Sequence, residues 1–420
     1  LYPYVQKYGV YPVGHPVIIT ENIDYQKEYF GIIKCKILPT RRLYIPVLPA
    51  RINNKLVFIL CSTCADQQQQ TQCKHSDDER AINGTSVSLE IYKAVQKGYK
   101  IIKYYEVWHW DNKEQYDPQT KSGGLFTDYI NQALKEKQEA DGYPSDCITE
   151  EQKNQYIHDY YDNEGIMLDR ENVKSNKCKK LVAKLKANSQ WGYLAMNCNK
   201  TQMRIIYDVY EWNKLLENKQ YVLQNVCFFE EDSKCIQVFY SYADRFYTGG
   251  LKTNVVLAAF VTCQARLHLY KELEKLNERV LYFDTDSIIF LTRPQDTYVP
   301  SLGNYLGQFK SEVKQSEGNY INEFVSAGPK NYAYKYDTGI THCTIKGFTQ
   351  NYIASLEINF DSIKNIVCNE QTKKIAVEQI KFNRDKKNWS LSTNIQNKLY
   401  GFVYDKRVLK TNLTTLPFGF

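Results

Sequence analysis

From residue 28 to residue 60 the pattern of apolar and polar positions is strand-like. Tyr29-Phe30-Gly31-Ile32-Ile33-Lys34-Cys35-Lys36-Ile37-Leu38 interleaves lysines with aliphatic residues, a Pro-punctuated stretch follows, and Leu56-Val57-Phe58-Ile59-Leu60 reads as a further strand. Residues 85–95 fit either a helix or a pair of strands, and the β-branched and aromatic residues of 101–110 favour a strand. In 127–140 the pattern changes: Tyr129, Ile130, Ala133 and Leu134 fall at helical spacing, and Asp141-Gly142-Tyr143-Pro144 stops the helix. Residues 150–195 read as largely helical, and 201–247 as short strands with Asn, Asp and Lys turns. Gly249-Gly250 then introduces a long helix over 255–277, followed by a hairpin over 280–291, mixed structure to 348 and a Lys/Asn-rich C-terminal segment. There is no internal repeat, and the pattern predicts an α+β chain.

Two places in this pattern carry chemistry. The apolar runs Val280-Leu281-Tyr282-Phe283 and Ile288-Ile289-Phe290-Leu291 flank Asp284-Thr285-Asp286-Ser287, a hairpin with carboxylates at its tip. Asp and Ser are ordinary turn formers, so alone this is as readily a surface turn. Two carboxylates on a rigid hairpin also suit a Mg²⁺ ion held against a phosphate-bearing substrate, which requires a second clamp for the phosphates elsewhere. Lys177, Lys180, Lys184, Asn188 and Trp191 follow at steps of three, four, four and three, which places them on one stripe of a helix. A solvated lysine face is the plain alternative. The stripe ends in Asn188-Ser189-Gln190-Trp191-Gly192, where a Gly permits close approach, so cations at one end and an aromatic at the other suit a nucleotide.

Taken together these segments resemble a known family. Tyr282-Phe283-Asp284-Thr285-Asp286-Ser287 resembles the YxDTDS motif of family B DNA polymerases, and residues 184–192 resemble their KxxxNSxYG motif, in the right order and at a suitable separation. Trp191 departs from the pattern by placing an indole where Tyr is usual. Leu1-Tyr2-Pro3 looks like the end of the DxxSLYP motif, whose Asp would lie four residues before Leu1, and Lys330-Asn331-Tyr332 is similar to the KxY motif. Glu106-Val107-Trp108-His109-Trp110, Thr248-Gly249-Gly250 and the ending from Lys406-Arg407-Val408 to Leu416-Pro417-Phe418-Gly419-Phe420 look like the protein-primed branch, with adenoviral and Maverick/Polinton-type transposon polymerases the most similar. The resemblance covers nearly the whole chain.

It implies an α+β fold, a partial right hand: palm from 1–20, an insertion over 21–145, fingers over 146–197, a second insertion over 198–250, palm again over 251–345 and a thumb over 346–420. It implies template-directed transfer of a deoxynucleoside monophosphate to a primer 3′-hydroxyl, with DNA template, primer and dNTP as partners and a terminal protein as the initiating primer. Asp286 would ligate Mg²⁺ with Asp284 in support. Lys184, helped by Lys177, Lys180 or Arg170, would neutralise the triphosphate; Asn188 and Trp191 would line the nascent base pair; Tyr2 would exclude a 2′-hydroxyl; Lys330 and Tyr332 would steady the primer. The chain reads as a fragment without the motif's upstream Asp or an exonuclease domain, expected to be inactive by itself. A non-catalytic nucleic-acid-binding relic, and a metal-dependent phosphohydrolase using the Asp pair, are the rival readings.

Composition adds less. Lys+Arg 54 against Asp+Glu 47 gives +7, which suits a polyanionic partner but also many ordinary proteins. The aromatic share of 14% rests mainly on 35 Tyr, which can stack on bases or reflect codon bias equally well. The longest mostly apolar run, 255–265, is too short to cross ~30 Å of hydrocarbon, so neither a membrane span nor secretion is expected. Of 12 Cys only Cys61, Cys64 and Cys73 cluster; scattered thiols indicate an intracellular, reduced chain rather than a disulfide scaffold. With His75 the three offer four ligands to a tetrahedral Zn²⁺, free buried thiols being the alternative. His109 and His158 read as ordinary polar or core-edge residues.

Overall fold

The computed structural model describes residues 1–228, 234–250, 252–369, 372–385 and 390–420. The chain divides into two compact units, one of Leu1–Asn188, Ala259–Ile380 and Ile395–Phe420, the other of Ser189–Ala258 and Lys381–Asn394.

The first unit is built on a four-stranded antiparallel sheet in the order Val17–Ile19, Lys100–His109, Gly31–Leu38, Ile82–Val87. The alternation in 31–38 does the work expected of it: Ile33, Cys35 and Ile37 are buried while Lys34 is exposed. The ambiguous 85–95 resolves into both alternatives in sequence, the end of strand Ile82–Val87 followed by helix Ser88–Gln96, whose Ile91 and Ala94 enter the same core. Leu269, Tyr270, Leu273 and Leu276 of helix Val255–Leu276 cover this core, and the hairpin of Val280–Asp284 with Ser287–Phe290 follows directly. A separate core joins the sheet of Ile321–Gly328, Asn331–Tyr336 and Thr341–Ile345 to helix Phe360–Cys368, through Ala327, Ala333, Ile363 and Ile366.

The helical stretch read over 150–195 is two helices, Glu150–Glu164 and Lys177–Leu194, parted by Gly165 in a left-handed cap and a short 3₁₀ turn at Arg170–Asn172. The chain opens with a short helix, Tyr2–Tyr8, on which two polar side chains, Gln6 and Lys7, are fully buried. Lys7 donates through Nζ to the carbonyl oxygen of Glu164, and Glu164 Oε2 accepts the Tyr8 hydroxyl at 3.2 Å. An ammonium at the carbonyl end of helix Glu150–Glu164 meets the negative pole of its dipole.

The second unit has the sheet order Gln202–Ile206, Ile236–Tyr242, Tyr221–Phe228, with Ile206, Leu215 and Val238 as its small core. Short strands were expected here; helix Val209–Glu217, capped by the Asp208 side chain on Tyr210 N–H, was not. No described helix is long and apolar enough to cross a membrane.

Candidate active site and metal cluster

Asp284 ends its strand paired with Ser287, so Thr285 and Asp286 form a two-residue turn. Thr285 takes φ +55°, a conformation that a β-branched residue rarely adopts, and the backbone closes so tightly that Asp286 N–H lies 2.6 Å from the Asp284 carbonyl oxygen. The Thr285 hydroxyl donates to Asp284 Oδ1 at 3.1 Å and the Ser287 hydroxyl to the Asp284 carbonyl at 3.2 Å. The carboxylates are thus presented on a stiff, solvent-facing tip.

Lys330 reaches this tip from another strand pair. Its backbone N–H donates to the Tyr282 hydroxyl at 2.9 Å and its Nζ to Asp284 Oδ2 at 2.5 Å, a contact that raises the lysine above its usual range. The turn that delivers it places Pro329 before a left-handed Lys330 at φ +57°, the order of a type II turn. Gly328 before it holds φ +126°, and a Cβ there would lie 2.1 Å from the Val403 carbonyl oxygen, so no other residue fits. The Tyr332 ring packs at a tilt of 45° against Tyr282, with centroids 4.8 Å apart. The Tyr2 phenol is raised first by burial and then by the field of Asp286, against the opposing pull of Arg266. Arg266 is itself held in a bidentate pair with the buried Glu90, at 2.6 and 3.0 Å. Tyr2, Arg266, Asp284 and Lys330 line one cleft of about 450 Å³. Residues separated in sequence by up to 328 positions therefore converge, as the motif order led one to expect.

The lysine stripe lies on helix Lys177–Leu194 as predicted from its spacing. Lys177, Lys184 and Asn188 are exposed, and Lys180 pairs with Asp141. Of the 18 residues of that helix only Ala183 and Ala187 are buried, and Leu181, Val182 and Leu185 lie open on its other faces. Asn188 closes the first unit, while Trp191 belongs to the second. Two cations join the stripe that spacing alone did not reveal. Lys137, on helix Thr127–Asp141, is lowered by burial and further by Lys180, Lys184 and Lys310, with Asp141 opposing. Lys310 comes from an irregular segment, and the Lys137 position has no signal of its own; both are found only once the chain has folded. Arg170 pairs instead with Glu150 and donates to Asn154 at 3.2 Å. His109 accepts the Phe30 N–H through Nδ1 at 3.0 Å and His158 is exposed.

Cys61, Cys64, Cys73 and His75 come together, all their ligand atoms within 4.8 Å of one another. Cys61 caps helix Ser62–Asp66, its Sγ accepting the Cys64 N–H, so C-x-x-C turns both thiols to one side. His75 Nδ1 stands 3.5, 3.2 and 3.7 Å from the sulfurs of Cys61, Cys64 and Cys73. A tetrahedron with metal–sulfur bonds of ~2.3 Å and a metal–nitrogen bond of ~2.0–2.1 Å has S···N edges of about 3.6 Å. Burial raises the Cys61 and Cys64 thiols. Burial also pushes Cys73 upward, but hydrogen bonds from His75 and the other two thiols outweigh it and bring Cys73 down to about 7.

Residues 1–150 match the family model described as DNA polymerase type B, organellar and viral. In fold the chain is similar to Phi29 DNA polymerase complexed with primer-template DNA and incoming nucleotide, at 14% identity and a TM-score of 0.53, covering 96% of this chain and 56% of that one. It is likewise similar to the post-translocation binary complex of Phi29 DNA polymerase with primer-template DNA, at 15% identity and a TM-score of 0.52 with the same coverage. The chain thus spans a little over half the length of these structures. No curated protein matches it. The first 150 residues thus match the type B DNA polymerase family, and the chain as a whole has a fold like that of the Phi29 enzyme.

Proposed function

We propose that this chain forms the polymerising region of a DNA-directed DNA polymerase of the protein-primed branch, serving replication of a viral or transposable element. The observation that carries the reading is the convergence of Asp284, Lys330 and Tyr2 on one cleft, with Asp286 close enough for its field to act on the Tyr2 phenol. Two acceptor-only carboxylates on a rigid tip fit Mg²⁺, with Asp286 as the direct ligand and Asp284 in support. Bound there, Mg²⁺ would neutralise charge that develops on the transferred phosphoryl group.

The remaining roles fall to side chains. Lys184, with Lys177 and Lys180, offers charge to the triphosphate, and Asn188 and Trp191 face the new base pair. Tyr2 supports the sugar of the incoming nucleotide and leaves no room for a 2′-hydroxyl. Lys330, anchored on Asp284 and Tyr282, is fixed where a primer terminus must meet the carboxylates, and Tyr332 stiffens that anchor. The palm is read at 1–20 and 251–345, the fingers at 146–197 and the thumb at 346–420, with insertions at 21–145 and 198–250. A hydroxyl-bearing terminal protein is the proposed initiating partner. The Cys61, Cys64, Cys73 and His75 cluster is proposed as a structural Zn²⁺ site, on the strength of its tetrahedral edges.

Binding of dNTP by the purified chain on a dideoxy-terminated primer–template in Mg²⁺ tests the reading. Template-matched, Mg²⁺-dependent binding is expected, weakened by at least about tenfold in Asp286→Ala, the scale of losing about 1.4 kcal/mol, with little or no extension by this chain alone. Release of phosphate without a template would instead make the chain a phosphohydrolase. Tight DNA binding with no template-matched nucleotide binding would leave the binding relic.

A further inference from the structure

Gln6 is fully buried in the last turn of helix Tyr2–Tyr8, yet it is a poor choice for packing alone. Its Nε2 uses both N–H bonds, donating to the Tyr2 carbonyl at 3.1 Å and to the Ala187 carbonyl at 3.4 Å. Both neighbours are acceptors, so the amide can only face them with its nitrogen. The cost is visible on the other side: Gln6 Oε1 is buried with no partner among the described residues. A Met or Leu would fill the same space without stranding an oxygen, so stability does not account for this residue.

What the amide joins does account for it. Tyr2 and Asn188 are the two residues read above as flanking the sugar and the base of the incoming nucleotide, and Gln6 ties the backbone of the first to the residue next to the second. The adjoining Lys7 repeats the arrangement toward Glu164, whose Oε1 also accepts the Leu306 N–H at 2.6 Å. Consecutive buried polar side chains thus lock the short opening helix to two later helices.

We propose that Gln6 is a positioning residue for nucleotide selection: its buried amide fixes the spacing between Tyr2 and Asn188, and with it the rejection of a 2′-hydroxyl. The inference rests on the polymerase reading of this cleft. Without the amide the two helices are free to part, and the clearance beside the sugar grows.

The test compares dATP with ATP binding to the 420-residue chain on a dideoxy-terminated primer–template presenting T, in Mg²⁺. The native chain is expected to prefer dATP. In Gln6→Met the preference should fall at least about tenfold, equivalent to 1.4 kcal/mol, while DNA affinity and melting temperature stay near native values. Gln6→Leu takes its place should the Met variant fail to fold. An unchanged dATP/ATP ratio in a folded variant overturns the proposal. A native chain whose nucleotide binding ignores the template base defeats the polymerase reading while the dATP/ATP ratio still decides the role of Gln6. A native chain that binds neither nucleotide overturns both.

Discussion

Lys7 shows how much a single residue can tie into a fold. Its ammonium has no solvent exposure, lies 3.7 Å from Glu164 Oε2, and stands 5.2 and 5.1 Å from the ring centroids of Tyr8 and Tyr116. Burial is the largest influence and brings it down to about 8, with Glu164 acting in the opposite sense. Unfolded, a lysine holds its proton to ~10.4. Between pH 8 and that value the unfolded chain therefore binds more protons than the native one, and stability must rise with pH across the window. At neutral pH the charged form costs the native state about 3 kcal/mol relative to an unburied lysine, at 1.36 kcal/mol per pKa unit. Lys7→Met removes that titration. Urea unfolding of both proteins from pH 7.5 to 10 should show the native chain gaining about 2 kcal/mol relative to the variant. Parallel stability curves would mean that Lys7 does not change its charge in this range.

At the scale of the element, the acidic hairpin holds its carboxylates by a strained turn. Thr285 in the left-handed region costs ~1–2 kcal/mol, whereas Gly adopts it freely at an entropic cost of ~0.5–1 kcal/mol. Thr285→Gly should accordingly leave urea stability equal or up to about 1 kcal/mol higher. Mg²⁺-dependent dNTP binding on a blocked primer–template should nevertheless weaken, because the Thr hydroxyl no longer holds Asp284 and the tip loosens. A variant less stable by more than 1 kcal/mol would show that the turn stores no strain. This hairpin was legible in the sequence because two short continuous apolar runs bracket four turn-forming residues, and the lysine stripe because helical spacing needs only local order. Helix Val209–Glu217 was not: Val209, Trp212, Leu215 and Leu216 fall at helical spacing, but the helix is only nine residues long and lies among strands and turn-forming residues. Lys137, Lys310, Gln6 and Lys7 were hidden for a different reason. Their roles depend on which distant groups the fold brings beside them, and no local pattern distinguishes a buried lysine from a solvated one.

Across the whole chain, the cysteine cluster gathers segments that the sheets leave unsecured. Cys61 to His75 follows strand Lys55–Phe58 with only the short helix Ser62–Asp66 in it, and the chain end returns to it, with Leu60 N–H donating to the Phe418 carbonyl at 2.8 Å. Gly419 passes so close to Cys61 that a Cβ would lie 2.3 Å from the cysteine Cβ. Phe418 is 1% exposed and joins the same core as Cys61 and Cys64. A metal at the four ligands would thus fasten residues 61–75 and the last residues of the chain to one core, and free thiols would leave that to hydrogen bonds alone. Because a structural site forms only in the folded chain, its binding free energy adds to stability. Metal analysis should find one Zn²⁺ per chain, lost in Cys61→Ser or Cys73→Ser. Removing it with a chelator that spares Mg²⁺ should lower the melting temperature by several degrees, at roughly 2–4 °C per kcal/mol or less for a chain of this size. Limited proteolysis should then cut first near residues 67–72 and at the C-terminus. A chain without zinc, or one whose melting and cleavage do not respond to chelation, would establish the cluster as buried thiols around a histidine.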